Sequence, residues 1–175
     1  MYENSAPNFC LSLAKAQVAL PTFQAAHKPQ ASGNNYNLVT LVFNSSGTSD
    51  GQGITLSSNM RFKSTGGGHL YCEGYNDDDF IYFSSPKYVE SFEMNASPWQ
   101  GYSGGSGLQQ NIYALESGGS VVWSTTVNLS SYTNWSNWLT VNVGIANIST
   151  LKFERPTAAS NSRFWPSIDN LIINQ

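Results

Sequence analysis

Trp99 and Tyr102 lie in the stretch SPWQGYSGGSG, Trp135 lies in YTNWSNW, and Trp165 lies in RFWPS. Each ring sits among serine, glycine and amide side chains. An aromatic plane with polar neighbours suits a ligand with an apolar C–H face and a rim of hydroxyls, which describes a sugar. Protein-binding loops use the same residue types. The loop around Trp99 also contains Gly101, Gly104, Gly105 and Gly107, so its backbone can approach a ligand closely. Packing beneath a loop is the competing reading for Trp165. Trp123 and Trp138 fall within or at the start of strand patterns and read as structural.

Carboxylates form the second set. Asp77, Asp78 and Asp79 are consecutive in YNDDDF. Basic side chains number only eight, so three clustered charges are short of partners. Calcium takes six to eight oxygens from turns of this kind. The ordered Asp/Asn/Gly spacing of a calcium loop is missing, which leaves a solvated turn as the alternative. Asp50 in GTSDGQG and Asp169 near the C-terminus form a separate candidate pair.

Catalytic chemistry has less support. Glycoside hydrolysis needs two carboxylates across one cleft, and Glu73, Glu90, Glu93 and Glu116 show no such pairing. No nucleophile elbow is present. His69 is the only histidine in the strand-rich region, and the chain has no CxxC for thiolate zinc. An enzyme is therefore not expected.

These residues are carried by short strands. From Tyr36 onward, runs of period-two hydrophobicity alternate with turn-forming stretches. The strands expected are 37–43, 54–62, 69–75, 79–85, 88–96, 110–117, 120–129, 138–145, 148–155 and 167–174. Such a pattern, without helical segments between strands, predicts an all-β antiparallel fold of two sheets. Residues 1–36 differ. LSLAKAQVAL contains the best helix formers, and a proline-bearing polar stretch follows, so this segment reads as an arm or linker ahead of a domain over 37–175.

Bulk properties narrow the partners. The chain has 175 residues, 11% charged and 13% aromatic, with a net charge of -3. Scattered basic residues do not form the phosphate-neutralising stripe that nucleic acid requires. No apolar run is long enough to span a membrane, and no signal peptide is visible at the N-terminus. A surface of hydroxyls and amides fits an extracellular setting. Five Asn-x-Ser sequons, at Asn44, Asn95, Asn128, Asn134 and Asn147, are expected by composition alone.

The chain closes on FWPSIDNLIIN. Leu171 and Ile173 share one parity, Ile168 and Ile172 the other, which predicts a central strand covered on both faces. Together with GSVVWSTTVNLS and WLTVNVGIANISTLKFE, this ending resembles galactose-binding-like jelly-roll domains and carbohydrate-binding modules of secreted bacterial proteins. The resemblance spans about residues 37–174. It implies a β jelly roll of about ten strands, non-catalytic glycan binding, and in some members a structural calcium. The alternative is a structural subunit of a virion surface or extracellular filament. In that case the arm would make the contacts of a homo-oligomer.

Overall fold

The computed structural model describes residues 36–44, 47–48, 53–64, 67–72, 78–96, 108–154 and 166–175. Among them there are eleven strands and no α-helix. They are β1 (Leu38–Leu41), β2 (Phe43–Asn44), β3 (Gly47–Thr48), β4 (Ile54–Leu56), β5 (Met60–Lys63) and β6 (His69–Cys72). They continue as β7 (Asp79–Asn95), β8 (Gln109–Leu115), β9 (Val121–Asn128), β10 (Leu139–Glu154) and β11 (Ser167–Asn174). The all-β expectation holds. The candidate helix and all of the arm but Tyr36, whose ring stacks on that of Tyr88 with centroids 4.1 Å apart, lie outside the described residues.

Nine strands form one antiparallel hydrogen-bonded path, β5-β6-β11-β7-β10-β8-β9, with β1 also on β11 and β4 also on β7. β2 and β3 form a separate small hairpin. The path makes two leaves because β7 and β10 belong to both. The first leaf is β4, the start of β7, the end of β10, β8 and β9. The second is β5, β6, β1, β11, the end of β7 and the start of β10.

One contact shows that the leaves face each other. Phe92 is registered opposite Val141, whereas Phe153 lies twelve residues further along β10, opposite Asp79. A straight strand of that length would separate the two sites by about 40 Å. The rings of Phe92 and Phe153 are instead 5.8 Å apart, edge to face. Both long strands must therefore fold over and bring their ends together as a sandwich.

The bend has a local cause. β10 shifts register against β7 three times between Asn142 and Thr150. Gly144 (φ 65) and Asn147 (φ 63) adopt left-handed backbone there. On β7 the matching irregularity contains Pro86, which cannot donate to a ladder and is tolerated at bulges. The expected breaks at 86–87 and 146–147 are thus bends inside continuous strands. Conversely, the expected strand 54–62 is two strands, β4 and β5, joined by a turn in which Met60 N–H donates to Ser57 O at 3.0 Å.

The core lies between the leaves. Ile81, Ile112, Leu151 and Phe153 from the first leaf meet Leu70, Phe92, Met94, Ile168, Leu171 and Ile173 from the second. β11 is a central strand, paired with β7 on one side and with β1 and β6 on the other. Its apolar residues on both parities have a different reason from double cover. Asn170 has φ 48, and the register with β7 slips between Asp169 and Ile172. The left-handed residue is a bulge that turns the chain by one position. Ile168 before it and Leu171 and Ile173 after it therefore point into the same core.

Candidate functional site

The outer face of the first leaf carries an aromatic and polar platform. Directly paired residues share a face, so the register defines its rows. One row runs Phe80, Lys152, Tyr113, Ser124 from β7 through β10 and β8 to β9. The row on one side is Thr55, Tyr82, Thr150, Leu115, Val121. On the other side lie Glu154, Asn111 and Thr126. The alternate residues Ile81, Phe83, Ile112, Ala114, Leu151 and Phe153 fill the core beneath. Burying this second parity is what holds the platform residues outward.

The platform's aromatics group along β7. The rings of Phe80 and Tyr82 stack with centroids 5.5 Å apart and planes 14° from parallel. Tyr82 remains 40% exposed. The pair leaves part of its apolar ring surface open to solvent.

Beside them runs a connected polar network. The Lys152 ammonium pairs with Asp78 Oδ2 at 2.8 Å and sits 5.3 Å from the centre of the Tyr113 ring. The hydrogen bond that Lys152 donates to the Asp78 carboxylate is the main reason the Lys152 pKa is raised. The Tyr113 hydroxyl donates to Glu154 Oε2 at 3.0 Å, and Asn111 Nδ2 donates to the same oxygen at 2.7 Å. Thr126 Oγ1 then donates to Asn111 Oδ1 at 2.6 Å. Tyr113 has a raised pKa, first through desolvation and then through its bond to Glu154. The face thus offers apolar ring surface beside fixed donors and acceptors of both charges.

Several sequence candidates fall elsewhere. Trp99, Tyr102, Trp165, Asp50 and Asp77 lie outside the described residues. Trp135 is half-buried in the turn region between β9 and β10. Its ring centre is 4.8 Å from that of His69 and 6.1 Å from that of Trp138, whose Nε1 donates to Trp135 O at 3.0 Å. It therefore belongs to an aromatic cluster against β6 and has no place on the platform.

The described members of the two calcium sets all have protein partners. Asp78 pairs with Lys152. Asp79 is 3% exposed and points inward, where Ser57 Oγ donates to its Oδ1 at 3.1 Å. Asp169 Oδ1 accepts Phe43 N–H at 3.0 Å. Among the described residues, no three His, Cys, Asp or Glu side chains come together as a metal site. Of the sequence candidates among the described residues, the platform includes only Asp78, and there as the partner of a lysine.

Phe80, Tyr82, Tyr113, Asn111 and Glu154 were not singled out in the sequence. Their signal is present in it: DFIYF and QNIYAL both alternate, and apart from Leu115 the parity opposite the core residues is aromatic or amide. A tryptophan in a turn stands out in a sequence, whereas a tyrosine within a strand reads as core.

No protein-family model matches the chain, and no curated protein matches it. Among solved structures it is similar to a family 29 carbohydrate-binding module, CBM29-2. Two variants of that module show a TM-score of 0.46 at 16% and 15% identity, covering 77% of this chain and 89% and 88% of theirs. It is also similar to the module CBM6cm-2 of Cellvibrio mixtus lichenase 5A, solved with cellotriose. There the TM-score is 0.35 at 17% identity, covering 78% of this chain and 96% of that one. These neighbours are carbohydrate-binding modules.

Proposed function

We propose that the protein is an extracellular, non-catalytic glycan-binding module and that it binds on the outer face of the first leaf. The observation that carries this is the Phe80–Tyr82 stack, open to solvent and flanked by the Lys152–Asp78 and Glu154–Asn111–Tyr113 groups. A pyranose can lay its C–H face on ring surface while its hydroxyls exchange hydrogen bonds with carboxylate, amide and ammonium. Charge is nearly balanced on the platform, which suits a neutral sugar. Loop aromatics Trp99, Tyr102 and Trp165 would extend the contact if they reach the same ligand.

The test is affinity electrophoresis through gels containing neutral polysaccharides. The wild-type chain should be retarded by at least one of them. Tyr82→Ala should lose about 1–2 kcal/mol of binding, judged from the ring area it would bury, or roughly tenfold in affinity. Its melting temperature should stay close to wild type, because Tyr82 lies outside the core. Retardation unchanged in Tyr82→Ala would remove the platform from the account.

A further inference from the structure

β9 forms one end of the strand path, and among the described residues nothing pairs with its outer edge. Exposed edges are hazards that proteins blunt by shortness, charge or proline. The other outer strands follow that rule. β4 has three residues, β1 has four, and the four-residue β5 contains Arg61 and Lys63. β9 runs for eight residues, VVWSTTVN, with no charge, proline or glycine. A single bulge at Val122 sets off its start, since Leu115 pairs with Val121 and Ala114 with Trp123. On its inner side, Trp123 and Val127 are only partly buried against the rim of the core.

We propose that this edge is the seat of a symmetric dimer, with β9 of a second copy added antiparallel about a two-fold axis at Thr125. The sequence is complementary to itself in that register. Trp123 meets Val127 of the second copy on the inner side, and the reciprocal pair repeats it. Thr125 meets Thr125, also on the inner side, and Ser124 meets Thr126 on the outer side. Aromatic with β-branched and hydroxyl with hydroxyl are the favoured cross-strand pairs. No like charges oppose each other, and the contact is isologous, so it closes at two copies. The added strand covers what remains open of Trp123 and Val127 and satisfies the edge hydrogen bonds. Because the axis stands perpendicular to the sheet, the outer faces of both copies join. If the platform binds glycan, a polysaccharide then meets two platforms on one surface and gains avidity.

Sedimentation velocity on the full chain tests the dimer without any glycan. The two-fold places residue 125 opposite itself, so Thr125→Lys sets two ammonium groups face to face, and Thr125→Glu sets two carboxylates. Each variant alone should sediment as a monomer, the wild type as a dimer, and an equimolar mixture of the two variants as a dimer again. A wild type that stays monomeric up to its solubility overturns the proposal, as does a dimer that both variants leave intact. Hydrogen exchange of the wild type supplies a second measurement should the variants fold poorly. β9 amides should become protected as concentration rises. Protection that is the same at every dilution would mean that a segment of the same chain covers the edge, and would equally overturn the proposal.

Discussion

Asp169 and Asn170 show how two polar residues come to sit in the most apolar strand of the chain. Asn170 adopts the left-handed backbone of the bulge, a conformation that asparagine tolerates better than other non-glycine residues, and its Nδ2 donates to Glu93 Oε2 at 2.7 Å. Asp169 takes the backbone N–H of Phe43, just past the end of β1. Burial raises the Asp169 pKa from its ordinary value, Glu93 adds to the rise, and the N–H donors Phe43 and Asn170 oppose it. A carboxyl whose pKa is raised by folding contributes most while protonated. Its contribution falls as pH rises from the ordinary carboxylate value through the raised one. At neutral pH the charge on Asp169 therefore costs stability while its oxygens supply needed acceptors. Asp169→Asn keeps an oxygen for Phe43 and removes the charge, so it should match or exceed wild-type stability at pH 7. Asp169→Ala strands the N–H group and should cost about 1–3 kcal/mol. Urea denaturation of both variants at pH 7 checks this, and equal losses would show that the carboxylate charge itself is needed. The strand's bounds, 167–174, were legible because its apolar run is long and begins just after Pro166. The bulge was not, because a parity count reads an inserted residue as a second buried face.

At the scale of elements, the two long strands decide the architecture. The sequence places strands at both ends of each one correctly and places a turn at each middle. Pro86 and the Gly144–Asn147 stretch do carry turn chemistry. What the sequence does not show is that hydrogen bonding with other strands resumes on the far side without a reversal, since that depends on partners distant in the chain. Gly53 pins the bend of β7 from β4. Its carbonyl accepts Ser84 N–H at 2.9 Å, and its φ is 62. A Cβ at Gly53 would meet Ser84 Oγ at 2.5 Å, whereas a Cβ at Gly144, with φ 65, meets nothing within 4 Å. Both Gly→Ala changes incur the left-handed penalty of about 1–2 kcal/mol. Gly53→Ala should cost more, because Ser84 must also move. Thermal melts of the two variants compare them directly. Equal losses would mean that Ser84 yields freely and the bend is held elsewhere.

Across the whole molecule, sharing β7 and β10 makes the leaves one structural unit. The platform lies on solvent-facing positions of strands whose other parity builds the core, so the proposed binding face and the core use opposite parities of the same strands. Composition made the all-β fold and the low-charge surface readable, since both follow from residue types and period alone. The position of the platform depends on which strands become neighbours, and only the register shows that. Trp135 illustrates the limit: its sequence setting resembles an exposed loop ring, yet β6 brings His69 against it. The most direct test of the central claim is a backbone-amide NMR titration of the protein with a neutral oligosaccharide that retards it in gels. Shifts should concentrate at residues 80–82, 111–113 and 150–154. Shifts confined to the aromatic cluster of His69, Trp135 and Trp138, or to residues outside the first leaf, would contradict that claim.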